Sequence, residues 1–312
     1  MQFAIKRIAL FYFYGLVPPK LHIYVPMRSK GGAGLELMFK SIKEAIRLKS
    51  FLANNGLQDS FQEKRGRFIY SFQPSDTNKD EYVSALIQYI QTVKRNEWLD
   101  QVLQKKYKYE SENERHDIIE IVSEMFDGER QELTALTAVI KEEILLHEAI
   151  LDLLDFKGAV AFDSFLRFRL REYFKQVTSY LGIAIDEYKM EQDYQIFIQT
   201  LRDYLRDRLT RQSIVHLILE RPETFYDETL REMKQEEVQG LLDPRLLSNH
   251  PVYVDSAVIA PLLSMAPNKI FLYTKHEDQP LVRTLKNIFE ERLVLFSTSY
   301  FYSLSNAYTR HS

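Results

Sequence analysis

No cysteine occurs in the 312-residue chain. That absence removes thiol nucleophiles, cysteine-ligated zinc, iron–sulfur clusters and disulfide frameworks together, and it fits a reducing compartment. Glycine and proline are scarce, ten of each, below their ordinary shares of about 7% and about 5%. The shortage points to long regular elements and excludes collagen-like and low-complexity chains. Long apolar runs are missing as well. Ile8–Val17 is shorter than the ~20 residues that span a bilayer, and charges interrupt every later run, so no membrane span is expected. Lys6 and Arg7 ahead of that run resemble a weak signal peptide, but the four consecutive aromatics Phe11–Tyr14 read better as buried strand.

What is present is an ordinary globular composition, 45% hydrophobic and 27% charged. A chain of roughly 300 residues buries about three quarters of its unfolded surface and requires no covalent or metal staple. The net charge of −3 hides an asymmetry: residues 1–73 carry 12 Lys/Arg against 4 Asp/Glu, and residues 74–312 carry 29 against 40. A basic amino-terminal region meets phosphate, anionic lipid or the acidic remainder of its own chain.

The periodicity divides the chain into three parts. Lys20–Pro26 has strand composition, Leu35–Leu52 repeats apolar residues at helical spacing, and Arg67–Phe72 alternates like a strand, which makes a small αβ unit over 1–75. From 79 to 212 the spacing predicts helix almost throughout, beginning with the stripe Val83, Leu86, Ile87, Ile90, Val93, Trp98, Leu99 and Val102. Gln131–Leu154 reads as one helix, and 162–209 as two helices or one bent at Gly182. From 213 to 312 the runs Ile214–Leu219, Thr224–Leu230, Lys269–Tyr273 and Leu293–Phe296 read as strands, with helices at 252–265 and 281–289 between them. That alternation implies a small α/β domain with at least one parallel strand pair. The expected fold is α+β: a small N-terminal αβ unit, a central helical domain and a C-terminal small α/β domain.

Most catalytic templates fail. Gly31-Gly32-Ala33-Gly34 ahead of an expected helix offers backbone N–H groups to a phosphate, but it lacks the Lys-Ser/Thr of a phosphate-binding loop and the dinucleotide fingerprint. Glu143 and His147 stand at i,i+4 without a third ligand, and no His-Glu-x-x-His or Glu-x-x-His motif occurs, so no metal and no cofactor is expected. The nucleophile elbow Gly-x-Ser-x-Gly is absent. The densest segment is Phe165–Phe174, which interleaves Arg167, Arg169 and Arg171 with aromatics. Arg167 and Arg171 share a face, while Arg169 turns toward Phe165, Phe168 and Leu170. Three readings stay open: a structural ion pair with Asp186, Glu187 or Glu191, a nucleic-acid contact, and a small-anion site.

These residues carry a resemblance. Phe165, Phe168, Arg169, Leu170 and Tyr173, followed by Asp186, Glu187, Tyr188, Glu191, Tyr194, Phe197 and Ile198, and later by Leu262–Ile270 and Ile288-Phe289, resemble the YtxC-like sporulation protein family of endospore-forming Firmicutes. The resemblance spans about 80–300 and is weak over the basic amino terminus. It implies a protein of sporulating bacteria, cytoplasmic, with no determined activity and no catalytic residue to transfer. It also implies a cysteine-containing stretch after the last strand, where this chain reads Ser297-Thr298-Ser299, so no thiol there is essential. The candidate cluster is therefore Phe168, Arg169, Tyr173, Asp186, Glu187 and Glu191. The expected function is non-enzymatic, through contact with an unknown protein partner. The alternatives are nucleic-acid binding by the basic region and the Arg167/Arg171 face, or an enzyme with an anion pocket near Arg169.

Overall fold

The computed structural model describes residues 34–57, 60–64, 66–72, 74–75, 77–136, 142–243 and 257–309. The apolar run Ile8–Val17, the expected strand Lys20–Pro26 and Gly31–Ala33 lie outside them. The fold is α+β, and the chain forms two compact units, 1–186 and 187–312.

In the first unit the leading element is a strand where helix was expected. β1 (Leu35–Phe39) buries Leu35, Leu37 and Phe39 in strict alternation, and only then does α1 (Ile42–Asn54) begin, burying Ala45, Leu48 and Leu52. Leu35, Met38, Phe39 and Ile42 satisfy helical spacing by coincidence, because a five-residue alternation abuts a true helical stripe. Gly34 shows why the strand wins locally: a Cβ there would stand 2.4 Å from the Phe72 carbonyl oxygen, so only glycine permits this close strand approach. A strand after Gly34 also removes the helix N-terminus on which the phosphate-loop reading depended.

β2 (Ser60–Lys64) and β3 (Arg67–Phe72) are antiparallel neighbours, and β3 pairs antiparallel with β1. β1 pairs parallel with β4 (Gly158–Ala161), Leu35 opposite Gly158, which gives the sheet order β2-β3-β1-β4. This fourth strand, Gly-Ala-Val-Ala, falls between two expected helices where no strand was foreseen, and its residues are too small to announce one.

Residues 79–107 form one helical run: α2 (Lys79–Tyr89), a π-helical turn over Ile90–Lys94, α3 (Arg95–Val102), and a second π-helical turn over Leu103–Tyr107. A π turn inserts a residue into the ladder and shifts the phase of everything after it. The buried positions Val83, Leu86 and Ile90 extrapolate to 94, 97 and 101 at the 3.6-residue repeat; Lys94 is buried, but beyond it the structure buries Arg95, Leu99 and Leu103 in place of 97 and 101. Trp98, expected in the buried stripe, is consequently 37% exposed. Arg115 closes this run by donating to the Tyr109 and Glu110 carbonyls at 3.2 and 2.8 Å and to Asp100 at 2.6 Å.

α4 (Glu112–Asp127) starts on the Ser111 hydroxyl and stops at left-handed Gly128. α5 (Gln131–Thr134) and α6 (Glu142–Leu154) are separate helices where one was expected. α7 (Phe162–Arg169) ends at Leu170, and α8 (Arg171–Arg206) runs for 36 residues straight through Gly182. The break falls at Leu170 rather than at the glycine, because the buried Leu170 leaves helical geometry at φ −99° and ψ 16°.

The second unit begins within α8. β5 (Ile214–Ile218) pairs antiparallel with β6 (Thr224–Tyr226) and parallel with β7 (Lys269–Tyr273), and β7 pairs parallel with β8 (Leu293–Phe296). The order is β6-β5-β7-β8. Val215, Leu217, Ile270 and Leu272 point to one face, packed with Phe197, Ile198 and Leu201 of α8. α10 (Ile259–Met265) and α11 (Pro280–Phe289) complete that core; α9 (Gln235–Gly240) adds Val238. The other face carries Ile218 and Tyr273 against Phe301 of α12 (Thr298–Thr309), a helix not foreseen. No helix among the described residues is long and apolar enough to cross a membrane.

Candidate functional site

The phase shift that turns Trp98 outward builds a groove. Helix 79–107 supplies Lys94, Glu97, Trp98 and Gln101, and the α7–α8 corner supplies Asp163, Leu166, Arg167, Arg171, Phe174 and Lys175. Together with Glu44 they enclose about 580 Å³, inside the ~300–1,000 Å³ typical of ligand sites.

One end of the groove is electrostatically closed. Lys94, only 7% exposed, is ion-paired with both Glu44 and Glu97 and lies over the Phe162 ring, 5.7 Å from its centroid. Arg47 takes the other oxygen of Glu97. These four groups neutralise each other. Beneath them the Tyr89 phenol is held well above its ordinary pKa, by burial first and then by the Glu97 and Glu44 charges.

The other side is open. Arg167 and Arg171 are exposed and have no ion-pair or hydrogen-bond partner among the described residues. Lys175 has only a loose contact, 3.7 Å from Glu172. Between these cations and the closed end lies Trp98. Its ring packs on Phe174 with centroids 5.0 Å apart, and its Nε1–H donates to Thr178 Oγ1 at 3.3 Å. The groove thus offers two uncommitted guanidinium groups beside an anchored, partly exposed indole. That combination serves anions, which the planar guanidinium fork grips in bidentate fashion.

The six residues singled out by sequence do not form one cluster. Tyr173 is buried and donates its hydroxyl to Glu142 at 2.6 Å; Glu142 also accepts from Arg95 Nη1 at 3.2 Å. Arg95 in turn lies over the Phe126 ring at 4.3 Å. Burial, then the Glu142 charge, keeps the Tyr173 phenol firmly protonated. Arg169 is half exposed and ion-pairs with Asp152 of α6, not with the acidic residues expected. The concavity beside it also carries Asp155, so it gathers no net positive charge. Phe168, expected among the aromatics around Arg169, is 60% exposed. Asp186 lies on the same helix as Tyr173, about 20 Å further along at 1.5 Å per residue; it is exposed, as is Glu191, and Glu187 is half-buried. Glu143 and His147 are both exposed on α6, and no group of three or more potential metal ligands exists among the described residues. Sequence reasoning put Arg167 and Arg171 on one helical face; the helix breaks at Leu170 between them, yet both line the groove. The same reasoning missed Trp98, because a π turn leaves no mark in a periodicity.

Comparison with known proteins agrees with the motifs. The model of the YtxC-like family matches residues 80–294, and the chain belongs to that family. It is similar to an uncharacterized protein of Bacillus subtilis, YtxC, with 32% identity over 208 residues that cover 67% of this chain and 73% of that protein. No solved structure matches. The match begins at residue 80, so it contains the Trp98 helix and the α7–α8 corner but not Glu44 or Arg47.

Proposed function

We propose that this is a cytoplasmic sporulation protein that works by binding, and that the groove beside Trp98 is where it recognises an anionic group of its partner. The observation that supports this is the pair Arg167 and Arg171, exposed on the groove rim with no ion-pair or hydrogen-bond partner among the described residues. Two guanidinium groups on one groove without carboxylates of their own gain little for the fold, whereas they match a carboxylate or phosphate that enters it.

The test is genetic and physical together. In an endospore-forming host lacking the gene, the wild-type chain is expected to restore heat-resistant spore counts, and the Arg167→Glu/Arg171→Glu chain is expected to fold normally yet fail. A deletion with normal spore counts would sink the sporulation context, and full complementation by the charge-reversed chain would sink the groove. A nucleic-acid partner is the second reading, favoured by the same arginines next to an aromatic ring. It requires affinity that falls steeply with salt.

A further inference from the structure

Resting on that reading of the groove, we propose that its ligand is a free nucleotide, with the phosphate held by Arg167 and Arg171 and the base stacked on Trp98. Four features converge on this chemistry. The guanidinium pair supplies bidentate donors that make no ion pair with any described residue. Trp98 packs against Phe174 and donates to Thr178, which hold its partly exposed ring in place in the groove; stacking of a base on an aromatic ring contributes about 1–3 kcal/mol. Asp163 lines the same groove and is its one carboxylate without an ion-pair partner among the described residues, Glu44 and Glu97 being occupied. It is thus an acceptor suited to a sugar hydroxyl. The volume of about 580 Å³ takes a ligand of this size with room for water.

Charge decides between a free nucleotide and a nucleic-acid strand. Residues 1–186, the unit around the groove, carry 26 Lys/Arg against 26 Asp/Glu, so it has no net positive field to draw in a polyanion. A strand needs a basic track that pairs with successive phosphates. Here the cations lining the open side are Arg167, Arg171 and Lys175 alone, enough for one phosphate group or a short chain of them.

Trp98 is the single tryptophan of the protein, so fluorescence of the full chain reads this site directly. AMP, ADP, GMP and GDP, adenosine, guanosine, inorganic phosphate and an oligothymidylate are titrated against it. At least one nucleotide is expected to quench Trp98 saturably below about 1 mM, with its nucleoside and inorganic phosphate each about tenfold weaker or more. Arg167→Ala and Arg171→Ala should each weaken binding by about tenfold while the melting temperature stays put. Trp98→Phe, followed by calorimetry, should also weaken it. Absence of quenching by all four nucleotides overturns the proposal. So does inorganic phosphate binding as tightly as any nucleotide, or an oligothymidylate binding more tightly than they do with a steep salt dependence. If nucleotides fail while the charge-reversed chain still cannot restore sporulation, the ligand assignment falls and the groove stands. If nucleotides bind and the charge-reversed chain complements fully, the cellular role falls instead.

Discussion

Arg95 and Arg167 belong to the same compact unit, yet they are held in opposite ways. Arg95 is buried with Glu142 and Tyr173 and lies on the Phe126 ring. Arg167, like Arg171, is exposed and uncommitted. The lesson is that an arginine's role is read from its partners. A buried guanidinium without its carboxylate is ruinous, so the interior supplies one. A rim guanidinium costs the fold little and remains available.

The contrast makes ranked predictions. Arg95→Ala should be the most damaging, because it leaves the largely covered Glu142 carboxylate with only the Tyr173 hydroxyl and no counter-charge, at a cost of about 3 kcal/mol. Urea or thermal unfolding measures this, and a loss no larger than that of a surface substitution would erase the distinction. Tyr173→Phe removes one donor from Glu142 while Arg95 remains, and about 1–2 kcal/mol should be lost. A neutral result there would mean that the hydroxyl does not belong to the interior network.

The second unit sharpens the comparison with a buried group that stays uncharged. His216 is 9% exposed, stacked near Phe271 and Tyr273, with Nδ1 2.8 Å from the Tyr273 hydroxyl. Burial lowers its pKa from 6.5, against the opposing pull of Asp227, and burial lifts the Tyr273 phenol to about 12. Both therefore stay neutral and share one hydrogen bond between Nδ1 and the phenol oxygen. Because the unfolded chain takes up the proton more readily than the folded one, stability should be full above pH about 6.5 and decline as the pH falls through that value. Asp227 and Glu220, whose pKa values are lowered from 3.8 and 4.5, add their losses only in more acidic solution. A His216→Gln chain should lose the first part of this acid slope. A wild-type melting temperature that is flat from pH 7 to pH 5 would show that the imidazole charges freely in place. Smallest of all should be Arg167→Ala, changing stability by no more than about 0.5 kcal/mol. A loss approaching that of Arg95→Ala would place this rim residue in the structure and not in recognition.

Much of the second unit was legible from sequence. β5, β7, β8 and α11 follow runs whose length and composition leave one choice, as Lys269–Tyr273 and Pro280–Phe289 illustrate. Less of the first unit could be read. β1 hides in a stripe that also fits a helix, β4 consists of small residues, and the π turn at Ile90–Lys94 displaces the phase without altering composition. The site shared this fate: Arg167 and Arg171 stood out by composition although their helical spacing is broken at Leu170, and Trp98 was assigned to the core by extrapolating across that turn. Arg169 was matched to downstream acids because Asp152, its actual partner, lies on another helix.

The pairing of Leu35 with Gly158 has a consequence for the growing chain. About 120 residues separate the two strands, and at roughly 5–20 residues per second a ribosome needs about 6–25 s to deliver the second after the first. Through that interval β1–β3 can exist as a three-stranded sheet whose β1 edge is unpaired, the kind of edge that recruits foreign strands. Synthesis that pauses between residues 80 and 157 would prolong the exposure, and a chain begun at residue 80, where the family match starts, would deliver β4 with nothing to join.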